Sequence, residues 1–183
     1  MPKIVAEKKD WIQLGYRLFA EKGVSGIVVE KMSKKLNCNK SSFYWHFKTK
    51  KEFINEIVIY WVNTKTKNII TRTDSEENTS QKLRKLIDIT YSKMPYSDFI
   101  FYLKRYAVKD EKISKIIDKV DAERIAYVGN LLKKMGYSSK DAKIKASLLY
   151  KHLIGFYELT RYKELSEDYM IEVKKEINQI ISY

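Results

Sequence analysis

Prolines and glycines are the residues that end helices, and this chain is almost without them: 2 prolines and 6 glycines in 183 residues. Few breakers, many Lys, Glu, Ile and Leu residues, and apolar side chains recurring three and four positions apart predict long helices. No alternation of apolar and polar residues persists anywhere, so the expected fold class is all-α. With 44% hydrophobic residues the chain can build a real core.

The first fifty residues predict three short helices. Trp11, Leu14, Leu18 and Phe19 stripe one over residues 8–22, and Gly23 is its stop. Val29, Met32 and Leu36 mark a second over 29–36. Asn37-Cys38-Asn39 reads as a turn, because asparagine tolerates left-handed backbone and caps helices. A third follows over 40–47, with Phe43 and Phe47 four apart and facing inward. Two helices joined by so short a turn match a helix-turn-helix, in which the second lies in the major groove of DNA.

That third segment has an unusual outer face. Lys40, Ser41, Ser42, Tyr44, Trp45 and His46 all fall outside the Phe43/Phe47 stripe. Lys40 can reach a guanine edge or a phosphate. Ser41 and Ser42 sit at the helix start, where hydroxyls and free amides contact phosphate. Tyr44 and His46 can hydrogen-bond phosphate, and Trp45 can pack on sugar or a thymine methyl. Lys50, opening the next helix, is a further phosphate clamp. The pattern alone also permits an aromatic hairpin with its tyrosine and tryptophan in the core.

Charge favours the first reading. The net charge is +13, which suits a polyanionic partner. Residues 1–50 carry 11 lysines and arginines against 4 acids, and residues 51–183 carry 25 against 19. The excess per residue is therefore more than twice as dense in the first part. Cys38 is the single cysteine, so neither an internal disulfide nor a cysteine-held metal is expected. No signal peptide or membrane-length apolar run is seen, and the expected location is the cytoplasm.

The string Leu18-Phe19-Ala20-Glu21-Lys22-Gly23, with Val29 and Met32, then Cys38-Asn39-Lys40-Ser41-Ser42-Phe43-Tyr44-Trp45-His46-Phe47, Lys50 and Phe53, resembles the N-terminal domain of the TetR family. The resemblance covers residues 8 to about 57. It implies a dimeric, ligand-responsive transcriptional regulator with DNA contacts at Lys40, Ser42, Tyr44, His46 and Lys50. The chain departs from the family where Ile27-Val28 replaces a threonine opening the second helix, and where Ser41 replaces a small glycine.

Past Lys50, further helices are expected over about 50–70, 79–93, 96–108, 110–135, 139–164 and 167–182. Pro95 is read as a breaker, residues 71–80 as a polar loop and Ser166 as the start of the last helix. The expected domains are 1–50 for DNA and 51–183 for ligand and dimerisation. The apolar faces of the last two helices supply the interface residues: Ala146, Leu149, Phe156, Leu159, Val173 and Ile177. The resemblance implies that the two helices pair with a partner's across a two-fold axis. Aromatics are dense between them and the head. Tyr60, Trp61, Tyr91, Phe99, Tyr102, Tyr106 and Tyr127 are the candidate effector pocket, with Arg105, Asn130, His152 and Glu158 as polar groups and Tyr96 nearby.

The expected partners are double-stranded DNA, an unknown small-molecule effector and a second copy of the chain, with no membrane, cofactor or metal. Repression relieved by the effector is the leading expectation. Activation, or a helical scaffold without regulatory activity, are the alternatives. With two histidines and no phosphate loop or nucleophile–base pair in view, no catalytic residue is expected.

Overall fold

The computed structural model describes residues 6–92 and 98–182, and every regular element among them is helical. The expected break at Pro95 and the aromatic Tyr96 lie outside the described residues.

Helix α1 spans Lys8–Lys22 and starts on a reciprocal cap between Glu7 and Asp10. It ends at Gly23, whose φ is +60°. A Cβ on Gly23 would also stand 2.7 Å from the ring of Tyr102. The positive φ and the close ring both require glycine. A 3₁₀ turn, Gly23–Gly26, leads on to α2 (Val29–Lys35) and α3 (Lys40–His46).

Helix α4 (Lys50–Trp61) is capped by Thr49, whose hydroxyl accepts from the amide of Glu52. The expected polar loop over 71–80 is confined to residues 75–78, because a helix runs on through Asp74. A π segment, Val62–Lys67, carries the rod into α5, Asn68–Asp74. Thr64 donates to the carbonyl of Tyr60, and Thr73 to that of Ile69. Such back-bonding lets polar side chains ride on a helix and loosens its regular ladder. Polar composition suggested a loop where Thr73 serves a helix.

Helix α6 (Thr79–Tyr91) begins on an Asn78/Gln81 capping box. After it come α7 (Phe99–Ala107), α8 (Glu111–Lys134), α9 (Ser139–Thr160) and α10 (Tyr169–Ile180). Asp168, not Ser166, is the residue before α10, and Ser166 instead accepts the amide of Tyr169 through its carbonyl.

The chain divides into two compact units. The first holds the described residues up to Thr64 and those from Asp98 to Ile117. Trp11, Phe19, Phe43, Phe53, Phe99 and Leu103 fill its core. Helix α1 packs so tightly on α4 that a Cβ at Gly15 would lie 2.4 Å from the ring of Phe53 and 2.7 Å from Ile57. Asp110 is 7% exposed. It caps α8 by accepting from the amide of Ile113, and its other oxygen holds Lys51 of α4 at 3.0 Å. That lysine and the cap hold the Asp110 carboxyl below the usual aspartate range.

The second unit holds the described residues from Lys65 to Ser92 and from Asp118 onward. Its core runs through Leu83, Ile87, Leu132, Ala142, Ala146 and Ile177. The ending of α6 explains several of its tyrosines. Tyr157 donates to the carbonyl of Thr90 and Tyr169 to that of Tyr91, so phenols satisfy carbonyls that the helix end leaves open. Burial beside Tyr169 pushes the Tyr157 phenol up to about 12.

Two stability outcomes follow. Gly15→Val forces α1 from α4 and costs about 1–3 kcal/mol in chemical denaturation, the usual scale of overpacking. Asp110→Asn lowers the melting temperature at neutral pH. A depressed carboxyl stabilises the fold above its unfolded pKa of ~3.9, so the gap between the two proteins closes as pH falls below that value.

Candidate nucleic-acid interface

The link between α2 and α3 closes on backbone bonds. The amide of Asn37 donates to Lys34 and that of Cys38 to Ser33. Asn37 takes φ +50°, a conformation asparagine adopts at low cost. Asn39 precedes α3 as expected, but its side chain makes no capping bond.

Helix α3 is held by its inner face. Phe43 is fully buried, with its ring 5.3 Å from Trp11, 5.2 Å from Phe47 and 5.0 Å from Phe53. Ser42 lies on this inner side as well. Its oxygen accepts from the Trp11 indole at 3.3 Å, and its hydroxyl donates to the carbonyl of Ala6 at 3.4 Å. His46, half-buried, places Nε2 2.8 Å from the same carbonyl. The Ser42 hydroxyl is thus committed inside the head, an arrangement that a helical wheel drawn on two phenylalanines does not reveal.

The outer face carries the remaining groups. Tyr44 is 58% and Trp45 76% exposed. Lys40, Ser41, Lys48 and Lys50 are exposed beside them. Lys40 pairs with Glu30 of α2 at 2.8 Å, which raises the lysine's affinity for its proton and lowers that of the carboxylate. Both partners are well solvated, so a phosphate can displace the carboxylate at little cost. Large exposed aromatics among lysines form a surface with both stacking area and positive charge.

The pocket candidates fall into both units. Tyr60, Trp61, Phe99, Tyr102 and Tyr106 belong to the first. There Tyr60 packs on Tyr16, Trp61 on Phe99, and Tyr106 on Phe19. Tyr91 and Tyr127 belong to the second, and their hydroxyls meet His152 Nδ1 at 2.7 Å and Asp74 at 2.8 Å. A cleft of about 330 Å³ lies beside Asp74, Lys82, Tyr127, Asn130 and Lys134. Arg105 rests over Phe101, His152 bonds Glu176, and Glu158 bonds Arg161. A polar cluster that the sequence did not announce joins Arg124 to Thr66 at 2.8 Å and Tyr150 to Asp121 at 2.5 Å. Burial pushes the Tyr150 phenol up to about 12.

Of the interface candidates, Ala146, Leu149, Val173 and Ile177 are buried in the core of their own unit. Phe156 is half-buried against Tyr91, and Leu159 is 66% exposed. Ile144, Leu148 and Ile171 are further exposed apolar residues on α9 and α10. Among the described residues no three histidine, cysteine or acidic groups gather as metal ligands. No described helix is long and apolar enough to cross a membrane.

Residues 12–57 match the family model described as bacterial regulatory proteins, tetR family. No curated protein matches the sequence. Solved structures share the fold. A transcriptional regulator from Saccharomonospora viridis, in complex with choline, superposes with a TM-score of 0.80 at 16% identity, covering 95% of this chain and 94% of that one. A transcriptional regulator from Aquifex aeolicus gives 0.70 at 22% identity over 95% and 99% of the two chains. A TetR transcriptional regulator from Legionella pneumophila gives 0.74 at 17% identity over the full length of both. The likeness to the family model is thus confined to residues 12–57, and the described residues carry the same all-helical fold as these solved transcriptional regulators.

Proposed function

We propose that the protein is a DNA-binding transcriptional repressor that acts as a homodimer and releases its operator when a small molecule binds. The observation that carries this reading is the division of α3 into two faces. One is locked by Phe43 and Ser42, and the other offers Tyr44, Trp45, Ser41 and Lys40 to solvent. On a duplex this outer face enters the major groove, while Lys50 and Lys48 meet phosphates on its rim.

A stripe on α9 supports the dimer. Ile144, Leu148 and Leu159 are exposed on one side of the helix, with Gly155 between the last two. A mid-helix glycine costs about 1 kcal/mol relative to alanine. Among the described residues a Cβ at Gly155 meets nothing within 4 Å, so no described packing inside the subunit explains it. A partner helix approaching closely would account for both the glycine and the exposed leucines. Two copies would then present α3 to half-sites about 34 Å apart.

Effector release is the third part of the reading. The solved regulator bound to choline is a precedent for a small molecule on this fold. In this chain the head and residues 51–183 would act as DNA-binding and effector-binding domains. The effector lowers DNA affinity by as much as it prefers the released state. Residues 51–183 would contribute binding and dimerisation, with no catalytic step.

Duplexes selected from a random pool test the DNA reading. Tyr44→Ala weakens binding to the selected duplex by about 1–3 kcal/mol. Lys50→Ala weakens it across sequences and reduces the salt slope by about 1. Parent-like affinity in both variants overturns the assignment of α3. Light scattering tests the dimer: the parent runs as two copies, and Leu148→Glu combined with Leu159→Glu runs as one with unchanged helicity. A parent that is monomeric at micromolar concentration contradicts this part.

A further inference from the structure

A lysine and a glutamate stand side by side where α2 and α3 begin. Lys40 opens α3, Glu30 lies in the first turn of α2, and Nζ meets Oε1 at 2.8 Å. Both side chains are exposed. Buried residues fix the backbone beneath them, Met32 and Ser33 on α2 and Phe43 on α3. The Cys38 amide, bonded to the carbonyl of Ser33, sets the link between the two helices. The exposed Tyr44 phenol also acts on the charge of Lys40, so the pair belongs to the same outer surface.

We infer that Glu30 and Lys40 together read one G·C base pair in each half-site: Lys40 donates to the guanine, and Glu30 accepts from N4 of the cytosine. The inference rests on the proposed docking of α3 in the major groove. It adds to that docking an acidic residue of α2 that charge attraction alone would keep away from DNA.

The chemistry of the groove selects this base pair. One ammonium N–H is spent on Glu30, which leaves two for acceptors and Oε2 of Glu30 for a donor. In the major groove guanine shows two acceptors, N7 and O6, and cytosine shows the N4 donor. Ion pair and base pair thus match donor for acceptor. An A·T pair fits less well. Its thymine offers O4 alone, next to an apolar methyl, and its adenine turns the N7 acceptor toward the carboxylate. A phosphate can take Lys40 only by leaving Glu30 beside the same negative strand, where like charges repel. The G·C pair satisfies both groups.

The test uses the duplex that the intact protein selects from a random pool, with single bases then replaced by analogues. A guanine analogue without N7 removes an acceptor for Lys40. N4-methylcytosine blocks the N4–H that points into the groove and keeps the base pair. At one G·C pair in each half-site, either analogue is expected to weaken parent binding roughly fivefold or more. Glu30→Ala binds the N4-methylcytosine duplex as tightly as the unmodified one, and Lys40→Ala is likewise indifferent to the loss of N7. Glu30→Ala also binds an unrelated duplex at least as tightly as the parent does, because a negative charge has left the surface that meets DNA.

A parent indifferent to N4-methylcytosine at every G·C pair overturns the inference and leaves duplex binding intact, and it does so without any variant. So does Glu30→Ala that keeps the parent's base preferences while tightening on all duplexes alike, since Lys40 would then serve a phosphate. A parent that selects no duplex overturns the reading of α3 as well.

Discussion

A seven-residue helix has almost no stability of its own in water, since isolated helices shorter than ~12–15 residues are marginal. Helix α3 has that length. It persists because Phe43 is wedged among Trp11, Phe47 and Phe53, and because Trp11, Ser42 and Ala6 are tied by hydrogen bonds on the same side. Burying a phenylalanine of this kind contributes about 1.5–3 kcal/mol relative to leaving it exposed. Anchoring one face so firmly lets the other hold polar and aromatic groups that serve no purpose in folding. The close approach of α1 and α4 at Gly15 completes the support, since both walls of the wedge belong to those helices.

The second unit solves a different problem with similar residues. Its tyrosines carry apolar rings into a core and spend their hydroxyls on specific acceptors. Tyr157 and Tyr169 close the end of α6, and Tyr91 meets His152. A buried hydroxyl without a partner is costly, so each ring fixes a position as well as filling space. Arg124, Thr66, Tyr150 and Asp121 extend the same economy to charged groups.

Much of the head was legible in advance because its signals are local. Gly23, the Asn37 turn and the Phe43/Phe47 pair each act within a few residues of themselves, and sequence spacing records such effects directly. What escaped notice depends on distance in the chain. Nothing in the spacing of Ser42 and His46 indicates that the carbonyl of Ala6 gathers both, because a backbone oxygen has no letter in the sequence. The link from Lys51 to Asp110 crosses 59 positions. The threonine-rich stretch before Asp74 looked like a loop because composition cannot show hydroxyls turning back to carbonyls of their own helix. Apolar stripes on α9 and α10 were visible, but a stripe does not say whether it faces its own core or another molecule. The buried Ala146 and the exposed Leu148 are two residues apart on one helix.

The central claim is that the outer face of α3 meets duplex DNA, and tryptophan fluorescence addresses it directly. The chain has three tryptophans. Trp11 and Trp61 are buried, and Trp45 is exposed. Iodide should therefore quench essentially one tryptophan in the free protein, and a saturating selected duplex should shield that one. Shielding of Trp45 supports the account. Quenching by iodide that is unchanged on a fully bound duplex contradicts it, because the protein would then hold DNA by some other surface.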